Sequence, residues 1–306
     1  MNKTPGIMRG AGKKLLRGMK QFLPDSVFLQ LSHRRRVGRW PDLRHPRTFN
    51  EIILRRCLHP AARWGELTDK LSVREYVKGK VGDAHLIPLI TVPDTFTRDV
   101  FDALPVAFVM KATHGCGFVE VVRDKSKTSY EALARLADAW LATDFHLASR
   151  ERHYRFIKPR LFFESLLSDA SGKVPADLKL HIFNRGREAP LVYTMVVTDR
   201  FGDVRCDVYD EAWNWLELKV GYYRRSDAPG PQPTDWKEVV RIGTLLASDF
   251  EYVRVDLYST GNQIYFGELT FTPGAGVLAF YPDHFDYEWG SLIAQSAKRF
   301  ELGQSN

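Results

Sequence analysis

Arg254, Asp256, Glu268 and Thr270 lie close together near the end of the chain and have the types and spacing of a polar site. Residues 252–258 and 263–271 alternate apolar with polar or β-branched residues, and Ser259-Thr260-Gly261-Asn262 between them is turn chemistry, so the stretch predicts a β-hairpin. Successive side chains of a strand point to opposite faces. Arg254 and Asp256 therefore share one side of the first strand, and Glu268 and Thr270 one side of the second. Acids seldom sit in apolar strands without a partner. If the two faces coincide, one small area holds a cation, two carboxylates and a hydroxyl. That is a hard-oxygen set suited to a magnesium ion that draws its other ligands from phosphate and water. The plain alternative is a surface hairpin carrying an Arg–Asp pair, and the stretch alone leaves both readings open. The following Pro273-Gly274-Ala275-Gly276 is either a close approach of backbone to a substrate or simply a turn.

The elements upstream must supply the other half of any such site. Two β-rich runs, 106–112 and 118–123, flank Thr113-His114-Gly115-Cys116-Gly117, a glycine-containing loop whose backbone NH groups are suited to cradling phosphate. The loop lacks the GxxxxGK[ST] pattern, and no helix follows it directly, as a dinucleotide fingerprint requires. Lys111 amid Phe108, Val109 and Met110 is the sharper signal, because a lysine on a buried strand calls for an anion. Asp69-Lys70 at a helix start reads first as a capping Asp and a solvated Lys. Residues 160–167 form an apolar strand interrupted by Glu164, and the polar stretch after it places a hinge at about 164–170. In 177–184, Asp177, Lys179 and His181 alternate onto one face, either a site or a solvated sheet face. Strands are also expected at 190–197 and 208–218, with a buried one at 86–92, and helices at 48–58, 72–82, 129–147 and 234–248. Asp283, His284 and Asp286 are substrate contacts or turn residues.

The chain has 306 residues, 44% of them hydrophobic, enough to bury a substantial core. It has no apolar run near the ~18 residues of a membrane span and no secretory signal, so a soluble, intracellular, cytoplasmic protein is expected. Cys57, Cys116 and Cys206 are scattered and lack metal-ligand spacing, which argues against a disulfide framework or a zinc site. Charge is uneven. Residues 1–56 carry 14 Lys or Arg against Asp25, Asp42 and Glu51, so the net charge of +7 hides an acidic remainder. Residues 9–23 have the pattern of a basic amphipathic helix, suited to the inner face of an anionic membrane, to an acidic polymer or to docking on its own protein. Nucleic acid is not expected as a partner, because no recognised binding module accompanies the charge.

Taken in order, DKLSVREYV (69–77), FVMKATHGCGF (108–118), LFFESLL (161–167), DLKLHIFN (177–184), FEYVRVDLY (250–258) and YFGELTFTPGAG (265–276) resemble the ATP-grasp amidoligase family named for teichuronopeptide synthesis. The resemblance covers roughly residues 48–292, and the order and spacing of six motifs are far more specific than any one of them. It implies an α+β ATP-grasp fold in which two α+β subdomains clasp ATP, preceded by a basic helical N-terminal extension. The corresponding division is 1–47 extension, 48–105 N-terminal subdomain, 106–167 lid subdomain and 168–306 catalytic subdomain.

Mapped by motif, the resemblance implies that Lys70, Lys111, His114, Gly115, Gly117 and Glu164 bind the nucleotide. Asp256, Glu268 and Thr270 would hold magnesium, and Arg254 and Lys179 would serve catalysis. Ser165 stands where many relatives have a second acid, and Thr270 where they often have Asn. The implied reaction joins a carboxylate to an amine through an acyl phosphate, on an acidic glycan or lipid-linked sugar precursor. Because Mg²⁺ with Lys111, Lys179 and Arg254 would neutralise the transferring phosphoryl group, no side-chain nucleophile is needed and Cys116 has no covalent role. A phosphotransferase with the same site is the alternative, distinguished by phosphate that stays on its acceptor. A glycosyltransferase is less well matched, since the chain has no Asp-x-Asp triplet.

Overall fold

A computed structural model of the chain describes residues 22–169, 172–198 and 203–304, with side chains described as far as residue 299. The amphipathic stretch 9–23 therefore lies outside the described residues except for Phe22 and Leu23. Four helices open the described chain: α1 (Asp25–Val37), α2 (Phe49–Leu58), α3 (Trp64–Thr68) and α4 (Val73–Val81). Helix α2 starts where Thr48 allows it to. Thr48 Oγ1 accepts from the Glu51 amide at 3.2 Å while Glu51 Oε2 accepts from the Thr48 amide at 3.1 Å, a reciprocal cap that satisfies two otherwise orphaned donors.

Two antiparallel sheets follow. The first is ordered β1–β4–β2–β3, from Leu89–Thr91, Leu161–Glu164, Phe108–Ala112 and Val119–Val122. Helices α5 (Arg98–Ala103) and α6 (Tyr130–Leu141) lie beside it, and Phe101, Phe108, Met110, Leu133, Trp140 and Phe163 form its core. The expected helix over 129–147 is two, because Asp144 accepts from the Leu147 amide at 3.1 Å and starts α7 (Phe145–Ser149) afresh. The expected buried strand at 86–92 is only the three residues of β1, half exposed, since an edge strand bonds one neighbour and Pro88 and Pro93 flank it. β1 belongs to the 48–105 segment, so the expected boundary at 105/106 runs through this sheet.

The second sheet is ordered β10–β9–β5–β6–β7, from Ile264–Thr270, Tyr252–Ser259, Asp177–Arg185, Glu188–Thr198 and Arg205–Tyr209. The strand expected at 208–218 ends at Tyr209, where Asp210 turns the chain by accepting from the Asn214 amide at 2.8 Å. Lys219–Val220 (β8) then pairs with Phe280–Tyr281 (β11) in a small separate sheet.

Alternation decides what each face of the large sheet meets. Leu178, Leu180, Ile182, Val253, Val255 and Leu257 lie on the face packed by helix α8 (Trp236–Ala247). Gly243 lets that helix come close, for a Cβ there would meet Leu180 Cδ2 at 2.7 Å. The opposite face is divided. Its far end is covered by α2 and by helix α9 (His284–Gln304), where Phe49 meets Tyr252, Phe280 and Trp289 edge-on at centroid distances of 5.5, 5.7 and 5.5 Å. Its near end carries Asp177, Lys179, Arg254 and Asp256 into a cleft. Phe49 has no exposed surface. Phe49→Ala is expected to lose ~3–5 kcal/mol of unfolding free energy in urea with an unchanged slope. A loss below about 1 kcal/mol would mean that the aromatic cluster repacks around the gap.

Candidate active site

The pairing of β9 with β10 sets Glu268 opposite Asp256 and Thr270 opposite Arg254. A bulge between Phe266 and Glu268 makes this possible: Phe266, opposite Leu257, is buried in the core, and the extra residue Gly267 brings Glu268 round to the cleft face. Gly267 lines the cleft, and a Cβ on it would meet the Asp256 carbonyl oxygen at 3.1 Å.

The four side chains form one network. Arg254 Nε donates to Asp256 Oδ1 at 2.6 Å, and its Nη2 donates to Asp256 Oδ2 at 2.9 Å, Glu268 Oε1 at 2.8 Å and Thr270 Oγ1 at 3.0 Å. Thr270 Oγ1 donates to Glu268 Oε1 at 2.8 Å. From β5, Lys179 Nζ reaches Asp256 Oδ2 at 2.5 Å and Asp177 Oδ2 at 2.8 Å. Burial works against the charge of Lys179, but Asp256 and then Asp177 outweigh it and hold the ammonium above its ordinary pKa. Burial likewise opposes the charge of Arg254, and Asp256 and Glu268 overcome it. Three carboxylates thus face two cations, leaving one surplus negative charge on this face. Among the described residues no group of three or more His, Cys, Asp or Glu gathers as a self-sufficient metal cage. Two carboxylates and a hydroxyl on adjacent strands fit a hard divalent cation that completes its shell from phosphate and water.

The first sheet faces this one across the cleft. Lys111 on β2 forms an ion pair with Glu164 on β4, the anion that a lysine on a buried strand calls for. Lys70 precedes α4, where Asp69 Oδ1 accepts from the amides of Leu71 and Ser72 at 2.8 and 3.0 Å. The expected capping role of Asp69 is thus observed, but Lys70 is not simply solvated: its Nζ donates to the Gly115 carbonyl at 2.5 Å. Burial lowers its pKa, against the pull of Glu268. The 113–117 loop is anchored at both ends. Thr113 Oγ1 donates to the Lys158 carbonyl at 2.9 Å, and His114 Nε2 lies 3.0 Å from the Trp140 carbonyl. Gly115 is required because a Cβ would meet the Phe118 ring at 2.6 Å. Cys116 and Gly117 line the cleft, whereas the buried imidazole of His114 packs beneath α6.

The cleft has two connected compartments. One, of about 910 Å³, holds Lys70, Lys111, Cys116, Lys179, Arg254, Asp256 and Glu268. The other, of about 880 Å³, is lined by Val109, Val121, Glu164, Leu166 and Leu167, and shares Lys111, Gly117, Val119, Asp177, Val197 and Tyr258 with the first. Most of the sequence-predicted residues gather here, but His114, His181 and the tail residues Asp283, His284 and Asp286 do not line the cleft. His181 has the parity of Asp177 and Lys179 but is buried, 2.8 Å from Tyr252 Oη beneath α2 and α9. Asp286, one of the tail residues left open, is also buried: it accepts from the Asn50 amide at 2.9 Å and pairs with Arg39, a packing role. Sequence reasoning missed Tyr258, which its parity with Arg254 and Asp256 could have revealed. It also missed Arg36, Lys219, Tyr222 and Tyr281, which line the same compartment.

A further missed residue sits behind the network. Glu151 is buried, and its Oε1 accepts from Thr272 Oγ1 at 2.5 Å. Burial pushes its pKa up to about 7, the hydroxyls of Thr272 and Ser149 restrain the rise, and Glu268 adds to it. An acid with a raised folded pKa contributes most below its unfolded value near 4.5, and that contribution is lost as pH rises through 7. Relative to Glu151→Gln, the native protein should therefore lose about 3 kcal/mol of unfolding free energy between about pH 4 and about pH 8. Parallel curves for the two proteins would show the carboxyl to be solvated.

Two α+β layers that close on one polar cleft, lysines on one side and paired carboxylates on the other, make the ATP-grasp architecture. The chain belongs to the TupA-like ATPgrasp family, whose model matches residues 53–294. No curated protein matches it. Among solved structures it is similar to the D-alanine-D-alanine ligase of Helicobacter pylori at 15% identity and TM-score 0.42, covering 75% of this chain and 61% of that one. Similarity to N5-carboxyaminoimidazole ribonucleotide synthetase of Thermus thermophilus is at 15% identity and TM-score 0.39, covering 72% and 52%. An L-amino acid ligase of Bacillus licheniformis matches at 16% identity and TM-score 0.45, covering 76% and 50%. The chain thus spans 61% and 52% of the length of the first two.

Proposed function

We propose that the protein is an ATP-dependent ligase that joins a carboxylate to an amine as an amide, by way of an acyl phosphate. The register that sets Glu268 against Asp256 and Thr270 against Arg254, across a cleft from Lys70 and Lys111, carries this reading. In it, Lys70, Lys111 and the backbone of 115–117 hold the phosphates of ATP, and Glu164 with the apolar compartment beside it receives the base and ribose. Lys179 and Arg254 hold the anionic oxygens of the transferring group and of the acceptor. Asp256, Glu268 and Thr270 would bind Mg²⁺, which supplies neutralisation of phosphate charge when present. The first sheet, which takes β1 from the 48–105 segment, acts as the lid, and the second sheet, within 168–306, as the catalytic half.

The reading extends to an acidic, uronic-acid-bearing cell-surface glycan or its lipid-linked precursor as acceptor, with an amino acid or other amine as partner, and to a cytoplasmic reaction. No helix of the described residues is long and apolar enough to cross a membrane. The basic surplus of residues 1–56 favours an anionic surface, and binding to anionic vesicles that persists without residues 1–23 would remove that segment from the interaction.

The test is ATP-dependent mass spectrometry with an acidic glycan and a panel of amines. Release of ADP and phosphate with a new amide supports the ligase; phosphate retained on the glycan would make the protein a kinase. ATP consumption that is equal with and without every glycan and amine would end the acceptor class.

A further inference from the structure

The cations of the first compartment are held in different ways, and Lys70 is taken by the Gly115 carbonyl. Lys111, Lys179 and Arg254 are each neutralised by carboxylates of the protein. Arg36 and Lys219 line the same compartment, and among the described residues neither forms an ion pair with an acid. Beside them the wall is aromatic. Tyr222 and Tyr281 line the compartment yet are 74% and 55% exposed, a large open ring surface for a concave wall. Lys219 Nζ stands 5.7 Å from the centre of the Tyr281 ring, and Tyr222 packs against Tyr223 at a centroid distance of 4.6 Å.

This wall is built and held in place. The β8–β11 pairing sets Lys219 opposite Tyr281, and Gly221, at φ +66°, turns the chain so that Tyr222 follows into the compartment. Arg36 comes from α1, outside the residues the family shares, and α1 is tied to the 273–276 turn, whose Gly274 lines the cleft: His33 Nδ1 lies 2.9 Å from the Gly276 carbonyl. We infer that Arg36, Lys219, Tyr222 and Tyr281 form a subsite for a second acidic sugar residue, next to the one whose carboxylate reacts. The inference rests on the ligase reading and adds to it that the acceptor is recognised over at least two acidic units. Aromatic faces stack on the C–H faces of a pyranose, phenol tips and cations take its hydroxyls and carboxylate, and the group is preorganised by the small sheet. An acidic peptide would satisfy the cations but leave the ring faces unfilled.

The test is calorimetric binding to the full chain of a uronic-acid tetrasaccharide, glucuronate alone, a neutral tetrasaccharide and a tetraglutamate peptide. A non-hydrolysable ATP analogue is titrated separately. The acidic tetrasaccharide should bind at least roughly tenfold more tightly than each of the others, and Arg36→Gln, Lys219→Gln and Tyr222→Ala should each weaken it by roughly tenfold, the equivalent of ~1.4 kcal/mol. Affinity for the ATP analogue and the melting temperature should not change in these three variants. Variants that bind the acidic tetrasaccharide like the parent would overturn the subsite, as would equal binding of glucuronate alone or of tetraglutamate. Intact binding of the ATP analogue with no sugar binding would remove the subsite alone, whereas failure to bind the analogue would strike at the ligase reading.

Discussion

Glu268→Gln is expected to reduce ATP-dependent turnover by roughly a thousandfold while the protein melts within a few degrees of the parent. The exchange is nearly isosteric, so it opens no cavity. The amide oxygen still accepts from Arg254 and Thr270, the two partners at 2.8 Å, so the network keeps its geometry. What disappears is one negative charge on a face whose surplus is a single charge, and with it a ligand for a divalent cation. The effect should appear in the turnover rate measured at saturating ATP. Full activity in this variant would take Glu268 out of the reaction.

Arg254→Met should have a large effect on stability. Arg254 joins Asp256, Glu268 and Thr270, and its side chain is only 13% exposed. Removing the cation leaves two neighbouring carboxylates with Lys179 as the remaining counter-charge, a loss of ~3–5 kcal/mol for a buried network deprived of one partner. Denaturant unfolding of the variant beside the parent measures it. A loss below about 1 kcal/mol would show that the acids do not depend on Arg254, and Arg254→Lys should recover part of the loss because the charge returns without its planar fork.

Much of this site could be read from alternation. Arg254 with Asp256, Glu268 with Thr270 and Asp177 with Lys179 each lie two apart, and each pair faces the cleft. Alternation also misled at two points. Strict period two puts Phe266 on the side of Glu268, but the bulge at Gly267 sends Phe266 into the core. His181 shares the parity of Lys179, yet that part of the sheet lies under α2 and α9, so parity fixed its face and not its surroundings. From its own neighbourhood Lys70 was legible only as the neighbour of a cap, and only the family resemblance pointed to the nucleotide, since its contact with Gly115 spans 45 positions of sequence. The Lys219–Tyr281 wall gave no local signal, because a two-residue strand in a loop gains its meaning only from the partner it meets. The overall architecture was easier to read, since the order of six motifs carries information that no single strand or loop contains.

The contact between α2 and the turn after β10 has a practical corollary for anyone shortening the chain. Asn50 holds Leu278 from both ends, its Nδ2 donating to the carbonyl at 2.6 Å and its Oδ1 accepting from the amide at 3.0 Å. A piece cut to residues 53–294 would lose that clamp, the aromatic plug of Phe49 and the tail of α9 in a single step. Any minimal version intended for crystallisation or engineering should begin ahead of Asp25 and run to the end of the last helix.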